Sequence, residues 1–145
     1  MATQHTDPLT LEVVELIGTV VARYYEEYDH AAAEHSLTGA QARVLGLLSI
    51  EPMPMRRIAR KLKCEPSNVT GIVDRLESRG LAERQPDPGD RRVKLAAATE
   101  TGRETARRLR EGLTFAREPL ADLSVAERTV LRDLLRRMLG DDAAE

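Results

Sequence analysis

The chain has 145 residues, 41% hydrophobic and 32% charged, enough apolar material for one well-cored domain with a wet surface. No apolar run approaches the roughly 18 residues of a membrane span. The start MATQHTDPLT lacks a signal peptide's basic and apolar regions, and one cysteine, Cys64, cannot form an internal disulfide, so a cytoplasmic protein without membrane contact is expected. The net charge of −2 conceals an asymmetry: residues 52–95 carry 11 Lys/Arg against 6 Asp/Glu, and the remainder 11 against 18. A basic middle between acidic ends suits a polyanion-binding module on a separate scaffold, although solvated Arg-rich helices give the same count.

In chain order, residues 9–34 predict a long helix with Val13, Ile17, Val20, Tyr24 and Tyr28 on one side. In SLTGAQARVLGLL, Thr38 and Gln41 have capping-box spacing, and Ala42, Leu45 and Leu48 follow at helical intervals. EPMP at 51–54 interrupts the pattern, with Pro54 suited to a first helical turn. MRRIARKL predicts a short helix with Ile58, Ala59 and Leu62 inward. After KCE, Pro66 suits the first position of a third short helix and Gly80 its stop. Val69, Ile72, Val73 and Leu76 form that helix's apolar stripe, and a polar face holds Ser67, Asn68, Thr70, Gly71, Asp74, Arg75 and Ser78.

Beyond Gly80 the period shortens. Residues 81–84 and 92–96 are extended candidates around a Pro/Asp/Gly turn, the grammar of a hairpin. Helix resumes near Glu100 and is expected to reach Arg117, with Ala106, Leu109, Leu113, Ala116 and Leu120 on one stripe and Pro119 ending or kinking it. Ser124 and Glu127 have capping-box spacing ahead of a last helix faced by Leu131, Leu134, Leu135 and Met138.

Three short helices and a turn-tipped hairpin make a mainly α fold with a small β wing, a winged helix-turn-helix. The third helix would enter a major groove and the hairpin would lie over the neighbouring backbone or minor groove. Ser, Asn and Thr can bond base edges or phosphates, and Arg can reach guanine O6 and N7. Arg56, Arg57, Arg91, Arg92 and Lys94 would add salt-dependent phosphate contacts. Asp74 is expected to orient an arginine, since a carboxylate facing phosphates is repelled. The competing reading is a helical protein–protein module whose basic middle binds an acidic partner; a salt-sensitive, sequence-selective band shift separates the two.

The run from LTGAQARVLGLL through VTGIVDRLESRGL to the wing DPGDRRVKL resembles the MarR family of bacterial transcription regulators over about residues 9–140. The resemblance implies a single domain over 1–145, with a winged DNA-binding part at 36–98 and helical dimerisation parts at 9–34 and 100–140. It also implies a homodimer on an inverted-repeat operator in double-stranded DNA, most often a repressor, released by a small, often phenolic ligand; a ligand-independent regulator is the alternative. Ser67, Asn68, Thr70 and Arg75 align with recognition-helix positions that contact DNA. Asp90 and Arg92 match the wing's Asp-x-Arg signature, in which Asp90 supports an arginine entering the minor groove. Position 71 commonly bears a long polar side chain in the family; here it is Gly71.

Other residues invite functional readings beside plainer ones. Tyr24 and Tyr28 are candidates for a ligand pocket faced also by Val20, Arg43 and Leu47, or else core or dimer contacts. Leu109, Leu113, Leu131 and Leu135 are assigned to dimerisation packing. Cys64 reads as a semi-buried structural thiol, because the family's peroxide sensors carry their cysteine near the start of the first long helix and this chain has none there. His30, His35 and Glu34 are too sparse to predict a metal site. No phosphate loop, nucleophile elbow or HExxH occurs in the chain, so neither a cofactor nor enzymatic activity is expected.

Overall fold

The computed structural model describes residues 6–114 and 118–140. The chain forms two compact units, residues 1–113 and 114–145. The first runs α1 (Pro8–Glu34), α2 (Gly39–Leu48), β1 (Met53–Pro54), α3 (Met55–Leu62), α4 (Pro66–Ser78), β2 (Ala82–Pro86), β3 (Lys94–Ala98) and α5 (Glu100–Gly112). The second holds α6 (Glu118–Ala121) and α7 (Val125–Leu139). Among the described residues, no helix is long and apolar enough to cross a membrane.

Local chemistry places the ends of these elements. Thr38 Oγ1 accepts from Gln41 N at 3.1 Å while the Gln41 side chain accepts from Thr38 N at 3.0 Å, so the expected capping box opens α2. Pro66 starts α4. Gly80, at φ 72°, ends it: Gly80 N donates to Glu77 O and Leu81 N to Leu76 O, both at 2.9 Å, and Leu76 and Leu81 are both buried. That is a Schellman stop with its apolar contact. α1 stops in the same way with Ser36 (φ 56°) in the left-handed position and Leu37 N donating to Ala32 O. Lys63 (φ 53°) turns the chain between α3 and α4, with Cys64 N donating to Ala59 O.

The sheet is antiparallel in the order β1-β3-β2. Arg84 pairs with Ala96 in the β2–β3 ladder, and Met53 pairs with Ala96 from the other side. The wing strands therefore sit one or two residues later than the alternation predicted. The small inward side chains of Ala96 and Ala98 let the ladder lie close against the helices. β1 was not predicted: Pro54 lies in this bridge and precedes α3 in an extended conformation (ψ 152°), not in its first helical turn. Two residues are too few to show a period.

Ala42, Val44, Leu45 and Leu48 of α2, Ile58 of α3, Val69, Val73 and Leu76 of α4, and Ala106 and Leu109 of α5 form the core. α2 packs against α1, α4 and α5, at the centre of this unit. α5 ends earlier than expected: Gly112, a poor helix former, is its last residue and Leu113 leaves in an extended conformation at φ −84°, ψ 113°. Ala116 of the predicted stripe and Arg117, the expected end of the helix, lie outside the described residues, and Leu120 belongs to α6. α7 opens on the predicted Ser124–Glu127 capping box.

Candidate nucleic-acid interface

α4 is amphipathic by construction. Val69, Val73 and Leu76 bury one face, Ile72 is half-buried beside them, and Ser67, Asn68, Thr70, Gly71, Asp74 and Arg75 are exposed. Ser67, Asn68, Gly71 and Arg75 come together along a groove of about 640 Å³ that Arg43 of α2 and its cap Thr38 also line. Among the described residues, the side chains of Ser67, Asn68 and Arg75 have no hydrogen-bond or ion-pair partner, so their donors and acceptors are available to a ligand. Thr70 is more constrained: its hydroxyl donates to Pro66 O at 3.2 Å, which leaves it an acceptor. An ideal Cβ built on Gly71 meets nothing within 4 Å, so no intramolecular contact requires glycine there.

The wing tip is organised by carboxylates. Asp87 accepts from Gly89 N at 2.8 Å and tightens the turn. Asp90 accepts from both Arg92 N and Arg92 Nε at 3.1 Å, and this arginine holds its carboxyl below the usual aspartate range. Arg92 nevertheless projects into solvent, its side chain 91% exposed. The expected Asp-x-Arg pairing is therefore present. Arg91 and Lys94 are exposed on the same hairpin.

The α3 arginines differ. Arg56 is exposed, whereas Arg57 pairs with Glu51 at 2.9 Å and would have to leave that partner to meet a phosphate. Asp74 meets the arginine expected of it, and that arginine is Arg84 of β2, at 2.5 Å. The same guanidinium also pairs with Glu77. Sequence reasoning did not single out Arg84, because its partners lie 10 and 7 residues away across a change from helix to strand. It also missed Arg79, whose guanidinium donates to Ser36 O at 2.8 Å and His35 O at 2.9 Å, tying the end of α4 to the end of α1.

The pocket candidates separate into two sets. Tyr24 and Tyr28 are in edge contact with centroids 5.0 Å apart, and Tyr24 also meets Tyr25 at 5.8 Å. Arg43 stacks on Tyr25, its Cζ 4.4 Å from the ring centroid, so Tyr25 belongs to a cluster from which the sequence reading omitted it. Burial, then a hydrogen bond with Tyr28, push the Tyr24 hydroxyl up to about 12. Val20 is exposed and Leu47 leans on the core; neither takes part in these ring contacts. Of the assigned dimerisation residues, Leu131 and Leu135 are exposed, but Leu109 is only 3% exposed and packs inside the first unit's core, with Leu113 at its margin. Leu109 is thus committed within its own subunit by the packing of α5.

A model of the MarR family matches residues 35–93, from the cap that follows α1 to the wing. The chain is 28% identical over 145 aligned positions to the HTH-type transcriptional repressor NicR of Pseudomonas putida, covering 94% of this chain and 90% of that protein. It is 30% identical over 124 positions to the HTH-type transcriptional regulator PecS of Dickeya dadantii, covering 85% and 73%. The crystal structure of CouR from Rhodococcus jostii RHA1 bound to p-coumaroyl-CoA aligns with a TM-score of 0.80 at 28% identity, covering 92% of this chain and 95% of that one. A polar helix face, a hairpin tipped by a braced arginine, and relatives that are themselves transcription regulators lead to one conclusion: the chain belongs to the MarR family of DNA-binding, winged-helix transcription regulators.

Proposed function

We propose that the protein is a homodimeric repressor that reads an inverted repeat and is released by a small aromatic ligand. The observation that carries the dimer is the surface left uncovered. α7 has no buried residue, and its Leu131, Leu134, Leu135 and Met138 are 37–63% exposed. A 15-residue helix is marginal alone in water, so this face requires a partner. Val13, Ile17 and Val20 of α1 are exposed as well, and a second copy of the chain would cover both sets.

In this reading α4 lies in the major groove. Ser67, Asn68 and Arg75 contact bases or phosphates, Thr70 accepts, and Arg56, Arg57, Arg91 and Lys94 neutralise phosphates. Arg92, held by Asp90, enters the minor groove. The repressor assignment is supported by the relative NicR, a repressor by name. An aromatic effector is supported by the tyrosine cluster beside Arg43 and by the ligand in the CouR structure. A phenolic acid would offer a ring to the tyrosines and a charge to Arg43.

The test is a titration of duplexes carrying an inverted repeat, with half-sites about one helical turn apart, against duplexes carrying one half-site. The full repeat should bind far more tightly. Arg92→Ala should weaken that binding by about 1–3 kcal/mol and leave the dimer intact by sedimentation. Equal affinity for one and two half-sites would overturn the dimeric reading.

A further inference from the structure

The recognition helix carries two carboxylates that a DNA-facing element should avoid. Asp74 and Glu77 sit one turn apart on its second half, 60% and 44% exposed. A negative charge beside the phosphate backbone is repelled, most strongly at low salt. Both carboxylates meet one guanidinium: Nη2 of Arg84 lies 2.5 Å from Asp74 Oδ1, and Nη1 pairs with Glu77. Arg84 reaches them from β2, opposite Ala96, and its side chain is 28% exposed, the most covered of the three.

The geometry gives this guanidinium two carboxylates to hold at once, using the planar fork that arginine has and lysine lacks. Glu83, its neighbour on the strand, is occupied by Gln85 and turns to no member of the triad. Within this half of α4 and its cap the remaining charged side chains are Arg75, which faces the groove that Arg43 of α2 also lines, and Arg79, which is bonded to the end of α1. Without Arg84, the two carboxylates would cancel Arg75 and Arg79 and leave the segment with no net charge.

We propose that Arg84 is a positioning residue for DNA binding, masking Asp74 and Glu77 so that the recognition helix can approach phosphates, and coupling that helix to the wing strand. The inference rests on α4 being the DNA-facing helix. The two carboxylates are then a device for holding the wing to the helix, and Arg84 removes their electrostatic cost.

The experiment uses the full chain and a duplex enriched by the wild-type protein from a randomised pool, with a non-enriched duplex of equal length as control. Arg84→Gln should weaken binding by about tenfold at low salt, and the deficit should shrink as salt rises. The triple variant Arg84→Gln/Asp74→Asn/Glu77→Gln should recover to within about threefold of wild type. An arginine acting only as a strut would give a loss that neutral partners cannot restore, and that result overturns the proposal, as does wild-type affinity in Arg84→Gln. If Arg84→Gln fails to fold, Asp74→Asn/Glu77→Gln with Arg84 retained is decisive: unmasked Arg84 should tighten binding to both duplexes, and weakened binding would refute masking. Wild-type protein that enriches no sequence and shows no salt-dependent binding would instead count against α4 as the DNA-facing helix.

Discussion

Two glycines show how one substitution tests opposite roles. A Cβ on Gly102 would lie 1.9 Å from the carbonyl oxygen of Leu81, where α5 starts against the turn that follows α4. Backbone cannot yield cheaply, so Gly102→Ala should destabilise the protein by about 1–3 kcal/mol in chemical denaturation. Gly71, mid-helix and exposed, has no such neighbour. Gly71→Ala should stabilise by about 1 kcal/mol, the helix-propensity difference. If the missing side chain lets the backbone approach the groove floor, the same variant loses operator affinity. A more stable protein with undiminished affinity would show that Gly71 has no part in recognition. The family's usual long side chain at this position is absent, and in the proposed reading discrimination would rest on Ser67, Asn68 and Arg75.

At the scale of elements, the ends of the helices are linked. Thr99 caps α5 through Gly102 N at 3.0 Å and donates its hydroxyl to Gly80 O at 2.6 Å, joining the α4 stop to the α5 start. Arg79 joins the same region to the left-handed turn after α1, where Ser36 takes a conformation that glycine would adopt more easily. Arg79→Ala should cost about 1–2 kcal/mol, since two charge-assisted hydrogen bonds are lost at an exposed site. Native-state hydrogen exchange gives the sharper check: the Leu37 amide, which closes that turn onto Ala32 O, should exchange faster. Unchanged protection at Leu37 would mean the turn holds without Arg79. The capping boxes, Pro66 and Gly80 were all legible beforehand, because capping depends on residues three or four apart. The Arg79 and Arg84 contacts were not, because they join residues that only the tertiary fold brings together.

At the scale of the molecule, the division of apolar residues is informative. Leu109 is buried within the first unit, whereas Leu131 and Leu135 remain exposed on α7, although all four assigned leucines share the same helical spacing in sequence. A charge at position 109 therefore tests folding, and a charge on α7 tests association. Leu135→Glu should give a species of monomer mass by light scattering that no longer shifts inverted-repeat DNA. A dimer of normal affinity would exclude α7 from the interface. The tertiary packing of α5 draws this distinction, which periodicity cannot see.

By itself the sequence determined the order of the longer helices and the hairpin, the amphipathic α4 with its start and stop, the braced arginine of the wing and the family. Each of these follows from short-range rules: side-chain spacing on a helix, caps, turn residues and one contiguous motif. Only the tertiary structure decided that Pro54 belongs to a strand and that Arg43 stacks on Tyr25. It also decided that Asp74 and Glu77 share Arg84. The reason is physical: a two-residue bridge, a ring contact between helices and a salt bridge across the chain derive their geometry from packing, and packing leaves no period in the sequence.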